Sequence, residues 1–406
     1  MKRIARIFFL GTALCLLLPV VAPARRVTVV VSFDGFRDDY TRCYSTPFLD
    51  EMARSGVTAH MQPSFPSKTF PNHYTLATGL VPDHHGIIAN TFYDTASRLT
   101  FSLGDKTTKQ DPRFWGGEPI WNTATQQSKR VCTVYWPGSD VCIQGTYPTE
   151  YKDYEVRPLL SFAERVAEVG RYLQLPDSLR PDLIMAYFEE PDHSGHTYGP
   201  LAPGTRRAVE RMDQIAAELY ATMRNAPDAD SINLIVLSDH GMTATDADHF
   251  VDIGRYLDKD LTERIATDIP TLVWPRKGKA EEALAQLRRV PHARAYRKGE
   301  IPEYLHYGSH VNIAPLVLIP DMGWTIGNRP PRPGGSHGFD SSHRDMQVLF
   351  RATGPDFKKG YEKPGAFANT CVYPLLCRLL GIRPAACDGN LDDIADIMAD
   401  SRRTRQ

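Results

Sequence analysis

Three runs of consecutive, largely β-branched apolar residues punctuate the chain: "RVTVVVSFDGF", apolar from Val27 to Ser32, "RPDLIMAYFEEPDHSGHTYGP" and "SINLIVLSDHGM". Each is short, bounded by Pro, Asp or Gly, and none alternates apolar with polar. That is the pattern of strands buried on both faces, as in a parallel sheet. Between them, "PLLSFAERVAEVGRYLQL" and "TRRAVERMDQIAAELYATMR" repeat apolar residues at three- and four-residue spacing, the signature of helices with one buried stripe. Strands alternating with helices predict an α/β fold, a mostly parallel sheet covered by helices on both faces. From about Arg255 to Gly335 the texture changes to Pro- and Gly-rich pieces with one helical stretch near Glu281 to Arg289, ending in "RPPRPGG". That region, about 255–335, reads as a smaller subdomain inserted into one large domain spanning 25–406.

The N-terminus has its own pattern. Lys2, Arg3 and Arg6 precede the apolar "IFFLGTALCLLLPVV", which ends at Ala22-Pro23-Ala24. This is the layout of a secretory signal, residues 1–24, cleaved after Ala24. The stretch falls short of the roughly 20 apolar residues a membrane span requires, and no later segment reaches that length. The mature chain is therefore expected to be periplasmic or secreted, without a transmembrane segment. Cys15 follows Leu14, where a lipid-attachment site would want a small residue, so no lipid anchor is expected. The chain has 47 Lys and Arg against 48 Asp and Glu, and loss of the three basic residues leaves it mildly acidic. A protein that coats nucleic acid has the opposite balance, so no stable nucleic-acid partner is expected.

Cys43, Cys132, Cys142, Cys371, Cys377 and Cys387 remain after cleavage, an even number in an exported chain. Cys132 with Cys142, and Cys377 with Cys387, are near enough in sequence to pair as disulfides, although spacing does not establish connectivity. No C-x-x-C occurs, which excludes a zinc ribbon, and no N-x-S/T sequon occurs, which favours a periplasmic protein over a glycosylated one.

The residues at the end of each buried strand carry the chemistry. Asp34 comes just after the first, Asp192 and His196 lie in the polar loop after the second, and Asp239-His240 follows the third directly. Open parallel sheets gather ligands beyond the carboxyl ends of their strands, so these groups are placed to converge. Taken singly, each is an Asp at a turn or a hydrogen-bonded His. Together, Asp and His without thiolates suit a borderline-hard divalent cation, zinc above all. "GGSHGFDSSH" offers His337 or His343 as a further ligand.

Beside this set stands "FPSKTFPNHYTLATG", with Thr69 in a polar turn between Lys68 and Phe70. Thr69 reads as a helix cap, satisfying backbone N–H groups at a helix start. If metals bind nearby, it also reads as a nucleophile whose alkoxide they stabilise. Two metals about 4 Å apart would hold the attacking and leaving oxygens of a phosphoryl transfer. His73, His84, His85 and Asp83, in "PNHYT" and "DHHGI", read as structural turn residues.

"SKTFPNHYTLATGLVPDHHGIIAN", "YWPGSD", "EEPDHSGHTYGP", "LSDHGM" and "GSHGFD", in this order, resemble the nucleotide pyrophosphatase/phosphodiesterase family of the alkaline phosphatase superfamily, a resemblance that covers roughly Val27 to Gly389. The resemblance implies an alkaline-phosphatase-like α/β/α sandwich and a phosphodiesterase catalytic domain with two zinc ions per chain and a phosphothreonine intermediate on Thr69. It implies Asp192, His196 and His337 around one zinc, and Asp34, Thr69, Asp239 and His240 around the other. It favours His337 over His343, which falls to the exposed loop, and matches Asn90 to a donor toward a non-bridging phosphoryl oxygen. It also matches Phe70 and Tyr154 to aromatics that sandwich a base in nucleotide-cleaving relatives, a contact indifferent to base identity. Trp136 and Asp140 are candidates to line the same pocket, and Lys68 to meet a phosphate. Thr91 stands where relatives often carry Lys, which puts contacts to distal phosphates in doubt.

No Cys- or Ser-x-Pro-x-Arg motif surrounds Thr69, so a sulfatase is excluded. The neighbour of Thr69 is the apolar Phe70 rather than an Arg, which favours a diester over a dianionic monoester. The expected activity is hydrolysis of nucleotide phosphodiesters and pyrophosphates, such as ATP or dinucleotides, to nucleoside 5′-monophosphates, with a small-molecule nucleotide as partner. The alternatives are a lipid-headgroup or choline phosphodiesterase with the same metal site, and a silent zinc- or nucleotide-binding protein.

Overall fold

The structure, a computed structural model, describes residues 25–399. The signal segment 1–24, with Cys15, lies outside the described residues. Among those described, the central sheet has eight strands. Their spatial order is Tyr361–Ala368, Val57–Gln62, Val348–Thr353, Ile232–Leu237, Val27–Phe33, Leu183–Phe188, Val131–Val134 and Glu150–Lys152. All neighbours pair parallel except Val348–Thr353, which runs antiparallel to both of its neighbours. The three apolar runs are the three adjacent central strands, and every residue of each is buried.

Alternate residues of the Val27–Phe33 strand feed two cores. Val29, Val31 and Phe33 face one layer together with Val169 and Leu173 of the helix Phe162–Leu173 and Met212, Ile215 and Leu219 of the helix Pro203–Arg224. Val30 faces the other layer, with Tyr74 and Leu76 of the helix Thr69–Thr78 and Leu375 and Leu376 of the helix Val372–Leu380. The result is a helix, sheet, helix sandwich. The start of Phe162–Leu173 is set by a capping box, in which Ser161 accepts from the Glu164 N–H and the Glu164 carboxylate accepts from the Ser161 N–H.

Within the Pro- and Gly-rich region a separate antiparallel sheet forms, in the order Thr262–Ala266, Thr271–Pro275, Leu316–Pro320, Ala293–Arg297. The helix Ala280–Leu287 packs on it, and their apolar cluster also draws in Val251 and Ile253, just ahead of the expected boundary. Leu272, Trp274 and Tyr307 join the main core instead, so the small sheet is docked onto the large one.

Several local expectations change. "PNHYT" lies within the helix Thr69–Thr78, and "DHH" forms the short helix Pro82–His85 rather than a turn. Pro71 and Pro82 both fall in a first helical turn, where the missing N–H costs nothing. The polar loop carrying Asp192 and His196 is the helix Asp192–Tyr198. The six cysteines are free thiols, so the pairings Cys132 with Cys142 and Cys377 with Cys387 are not formed. For the first pair the reason is topological: Cys132 packs in one core layer, while Val141 and Ile143, on either side of Cys142, belong to the other.

Candidate functional site

The three central strands end side by side, and their terminal residues meet. Asp34, Asp239 and His240 are fully buried, and the Asp192 N–H donates to the Asp34 carbonyl at 2.9 Å, which locks the second strand's helix onto the first strand's turn. Gly35 makes that approach possible: with φ of +68°, its Cα lies so near Asp192 that any Cβ would stand 2.9 Å from the Asp192 Cα and Cβ. His196 follows Asp192 by four residues on one helix face, and the two side chains lie 3.4 Å apart.

Two groups of ligand atoms result, each within 4.8 Å of one another: Asp34, Asp239 and His240, and Asp192, His240 and His337. His240 stands at their junction. His196 borders the second group, with its ring centroid 5.0 Å from that of His337 and its side chain 42% exposed. His343 is exposed, outside both groups.

The hydrogen bonding tests whether a cation fits. Backbone carbonyls only accept, so His196 Nδ1 donates to Gly335 O at 2.8 Å, His240 Nδ1 to Gly241 O at 2.9 Å and His337 Nδ1 to Ser67 O at 2.8 Å. In each neutral ring Nε2 is then an acceptor. The His240 Nε2 faces Asp239 Oδ2 at 3.1 Å and Asp34 Oδ1 at 3.2 Å, acceptor against acceptor. Asp34 Oδ1, Asp192 Oδ1 and Asp239 Oδ2 are buried without a hydrogen-bond partner. Burial, followed by the neighbouring carboxylates, holds Asp34, Asp192 and Asp239 well above the usual carboxylate range. Burial likewise pushes His240 and His337 well below the usual imidazole value, and His196 below it. Three buried carboxylate oxygens without a hydrogen-bond partner, converging on imidazole nitrogens, are what divalent cations satisfy, and the oxygen and nitrogen donor set suits zinc.

Thr69 is the first residue of its helix, and Lys68, in extended backbone, takes the capping position with no side-chain cap. The expectation that Thr69 caps the helix is therefore corrected. Its side chain turns into the site instead, where Oγ1 donates to His240 Nε2 at 3.1 Å. Beneath it, His73 Nδ1 donates to the Thr69 carbonyl at 2.9 Å, and the Ser32 hydroxyl donates to His73 Nε2 at 2.9 Å. His73 thus ties the start of this helix to the central strand.

A cleft of about 440 Å³ opens over these groups. Thr69, Asn90, Asp34, Asp192, His196 and His337 line it together with Phe70, Trp136, Asp140 and Tyr154, whereas Asp239 and His240 lie beneath. Asn90 Oδ1 accepts from the Phe70 N–H at 3.0 Å, which leaves its amide nitrogen free to donate elsewhere. Phe70 is half-buried, backed by Phe101 and Trp115, and Tyr154 packs edge-on against Tyr135 with ring centroids 5.3 Å apart. Trp136 is core apart from an edge, its indole N–H donating to His73 O at 3.3 Å. Asp140 accepts from Gln110 at 3.0 Å, and burial raises its pKa. Lys68 is the exception, since it is buried outside the cleft lining in an ion pair with Asp268.

Sequence reasoning passed over several lining groups. Tyr187 sits in the apolar run "LIMAYF" and reads as core, yet its hydroxyl donates to Asp34 Oδ2 at 2.7 Å. Lys109, paired with Glu155, and Arg157 carry no motif and reach the cleft through folding alone.

Known proteins share this outline. The family described as type I phosphodiesterase / nucleotide pyrophosphatase matches residues 28–340. Ectonucleotide pyrophosphatase/phosphodiesterase family member 3 of Bos taurus is 38% identical over 378 residues, covering 89% of this chain and 43% of that protein. A venom phosphodiesterase of Crotalus durissus collilineatus is 36% identical over 377 residues, covering 89% and 45%. The chain spans less than half the length of these curated relatives. The structure of murine ectonucleotide pyrophosphatase/phosphodiesterase 5, an inactive variant in complex with AMP, superposes with a TM-score of 0.87 at 34% identity, covering 93% of this chain and all of that one.

Proposed function

Since the chain belongs to the type I phosphodiesterase / nucleotide pyrophosphatase family, we propose that it is an exported, zinc-dependent enzyme that hydrolyses nucleotide phosphodiesters and pyrophosphates to nucleoside 5′-monophosphates. The observation that carries this reading is the Thr69 hydroxyl at 3.1 Å from His240, the residue shared by both ligand groups, at the floor of an aromatic-walled cleft. A hydroxyl placed among metal-ligand atoms without partners supports a role in attack on phosphorus.

Asp34, Asp239, His240 and Thr69 would hold one zinc, and Asp192, His196 and His337 the other. When bound, such a pair supplies the positive charge that stabilises an alkoxide on one side and a leaving oxygen on the other. The chain's own groups do the rest. Thr69 Oγ1 gives up its proton to solvent and forms a bond to phosphorus while the bond to the leaving alcohol or phosphate breaks. The departing oxygen is protonated from water, and a second water then cleaves the Thr69–phosphate ester, freeing the 5′-monophosphate and restoring the hydroxyl. The Asn90 amide donates to a non-bridging oxygen where charge builds up. Phe70 and Tyr154 flank the base, a stacking contact worth about 1–3 kcal/mol per base.

Export, read from residues 1–24, belongs to the same proposal and is checked by N-terminal sequencing of the mature protein. The activity is tested by comparing hydrolysis of a dinucleotide or ATP with a matched phosphate monoester and a choline phosphodiester, with and without chelator. Chelator-sensitive turnover highest on the nucleotide, with a 5′-monophosphate as product, is the expected result. Preference for the choline diester would overturn the pocket reading, and no turnover on any substrate after zinc is restored would overturn the enzyme.

A further inference from the structure

Lys68 precedes the nucleophile in sequence, yet its ammonium is turned from the cleft and held by Asp268 Oδ1 at 2.5 Å. Asp268 lies in the turn leading into the small sheet's strand Thr271–Pro275, so the ion pair joins the inserted subdomain to the Thr69 turn. Both partners are built into place. The same Asp268 oxygen accepts from the Ile269 N–H at 2.8 Å, and the Thr271 hydroxyl donates to the Asp268 carbonyl at 2.9 Å. The Lys68 stem runs against Gly338, the residue after His337, so closely that a Cβ there would stand 2.5 Å from Lys68 Cε. Lys68 is 6% exposed, whereas the Asp268 side chain is 39% exposed.

This cation sits close enough for its field to act on the candidate ligands. It is carried by the residue that precedes Thr69, and its stem packs on Gly338, the immediate neighbour of His337, so the charge stands beside both ligand groups. A buried ammonium beside a site for two dications works against metal binding unless an anion compensates it. Resting on the reading that zinc occupies this site, we propose that Asp268 is a positioning residue for the metal centre: by pairing with Lys68 it neutralises a cation that would otherwise weaken metal affinity. The inserted subdomain thereby contributes to the site without touching substrate.

The test measures zinc affinity directly, by competition with a chromophoric chelator and without substrate, on the full mature chain. Asp268→Asn leaves Lys68 uncompensated and is expected to weaken zinc binding about 10–100-fold, the range typical of residues that support ligands from outside. Asp268→Asn combined with Lys68→Met removes both charges and is expected to return affinity to within about three-fold of the wild type, which loss of a merely structural contact would not do. Asp268→Glu, which keeps the carboxylate, is expected to bind zinc nearly as the wild type does. Wild-type affinity in Asp268→Asn, or a double variant as weak as that single one, overturns the proposal. Should Asp268→Asn alone fail to fold, the double variant decides: wild-type-like affinity supports the proposal, and a loss of ten-fold or more overturns it. A wild-type chain that binds no zinc would instead overturn the proposed function.

Discussion

His240 and His337 stack face to face, with ring centroids 3.6 Å apart and planes 7° from parallel. Two imidazolium rings at that distance would repel each other, and burial keeps both neutral by pushing their pKa well down. Each donates Nδ1 to a backbone carbonyl, so both Nε2 lone pairs are turned into the site. The stack draws together the end of one strand and a segment almost a hundred residues further along the chain.

Removing ligands from one group should empty it selectively. Asp192→Ala and His337→Ala are expected to lower zinc content from two toward one per chain. Activity should fall by more than the roughly 10–100-fold typical of supporting residues. His343→Ala should leave both quantities unchanged. Metal analysis by mass spectrometry beside steady-state kinetics checks all three, and normal zinc in both ligand variants would break the assignment.

Thr69→Ala removes the oxygen proposed to attack phosphorus but no His or carboxylate ligand. Turnover is expected to fall by several orders of magnitude while metal content stays near that of the wild type. A burst of labelled phosphate on the protein, trapped by acid quench, should appear in the wild type and vanish in the variant. Residual turnover within ten-fold of wild type would exclude the nucleophile role.

Asn90→Ala should act on the transition state more than on binding. The expected loss is about 10²–10³-fold in kcat with KM little changed, the size seen when one oxyanion donor is removed. A KM effect alone would mean that Asn90 merely positions Phe70, whose N–H its side chain holds.

Phe70→Ala is expected to cost nucleotide substrates about 1–3 kcal/mol in kcat/KM, the worth of one stacked base. A small aromatic diester should lose clearly less. Equal losses on both would remove the stacking argument.

The pH dependence of stability has a separate source. His85 is buried, bonded through Nε2 to the Thr75 hydroxyl and close to Pro71 O, and burial lowers its pKa to about 3. A neutral histidine in the folded state and a titrating one in the unfolded state, with pKa near 6.5, favour unfolding in acid. Its contribution should be constant above about pH 6.5 and be lost as pH falls from there toward 3, with a slope of up to about 1.4 kcal/mol per unit. Denaturant unfolding between pH 7 and 5 on the wild type and His85→Gln checks this. The wild type should lose stability faster, and identical slopes would contradict the assignment.

The α/β layering and the positions of the metal-ligand candidates were legible along the chain because both obey local rules. Buried strands are unbroken apolar runs, and ligand-bearing residues come directly after them, so Asp34, Asp192 and Asp239-His240 stand out before any fold is known. The roles of Thr69 and Lys68 were not legible in the same way. A Thr before a helix caps or attacks according to where its hydroxyl finds a partner, and that partner, His240, is 171 residues away. Lys68 faces substrate or not according to Asp268, 200 residues on.

Tyr187, His73 and Lys109 show the same limit, since a residue inside an apolar run or a plain helix reveals nothing until the chain folds back over it. Periodicity and strand-end chemistry are properties of neighbours in sequence, and they determined the fold class and the ligand candidates Asp34, Asp192, His196, Asp239 and His240, whereas the choice of His337 and the phosphothreonine role of Thr69 came from the family resemblance. Hydrogen-bond direction, burial and charge compensation depend on neighbours in space. The packing of the central strands and the docking of the small sheet decided which nitrogen of each histidine faces the site, where the Thr69 hydroxyl points and which carboxylate pairs with Lys68.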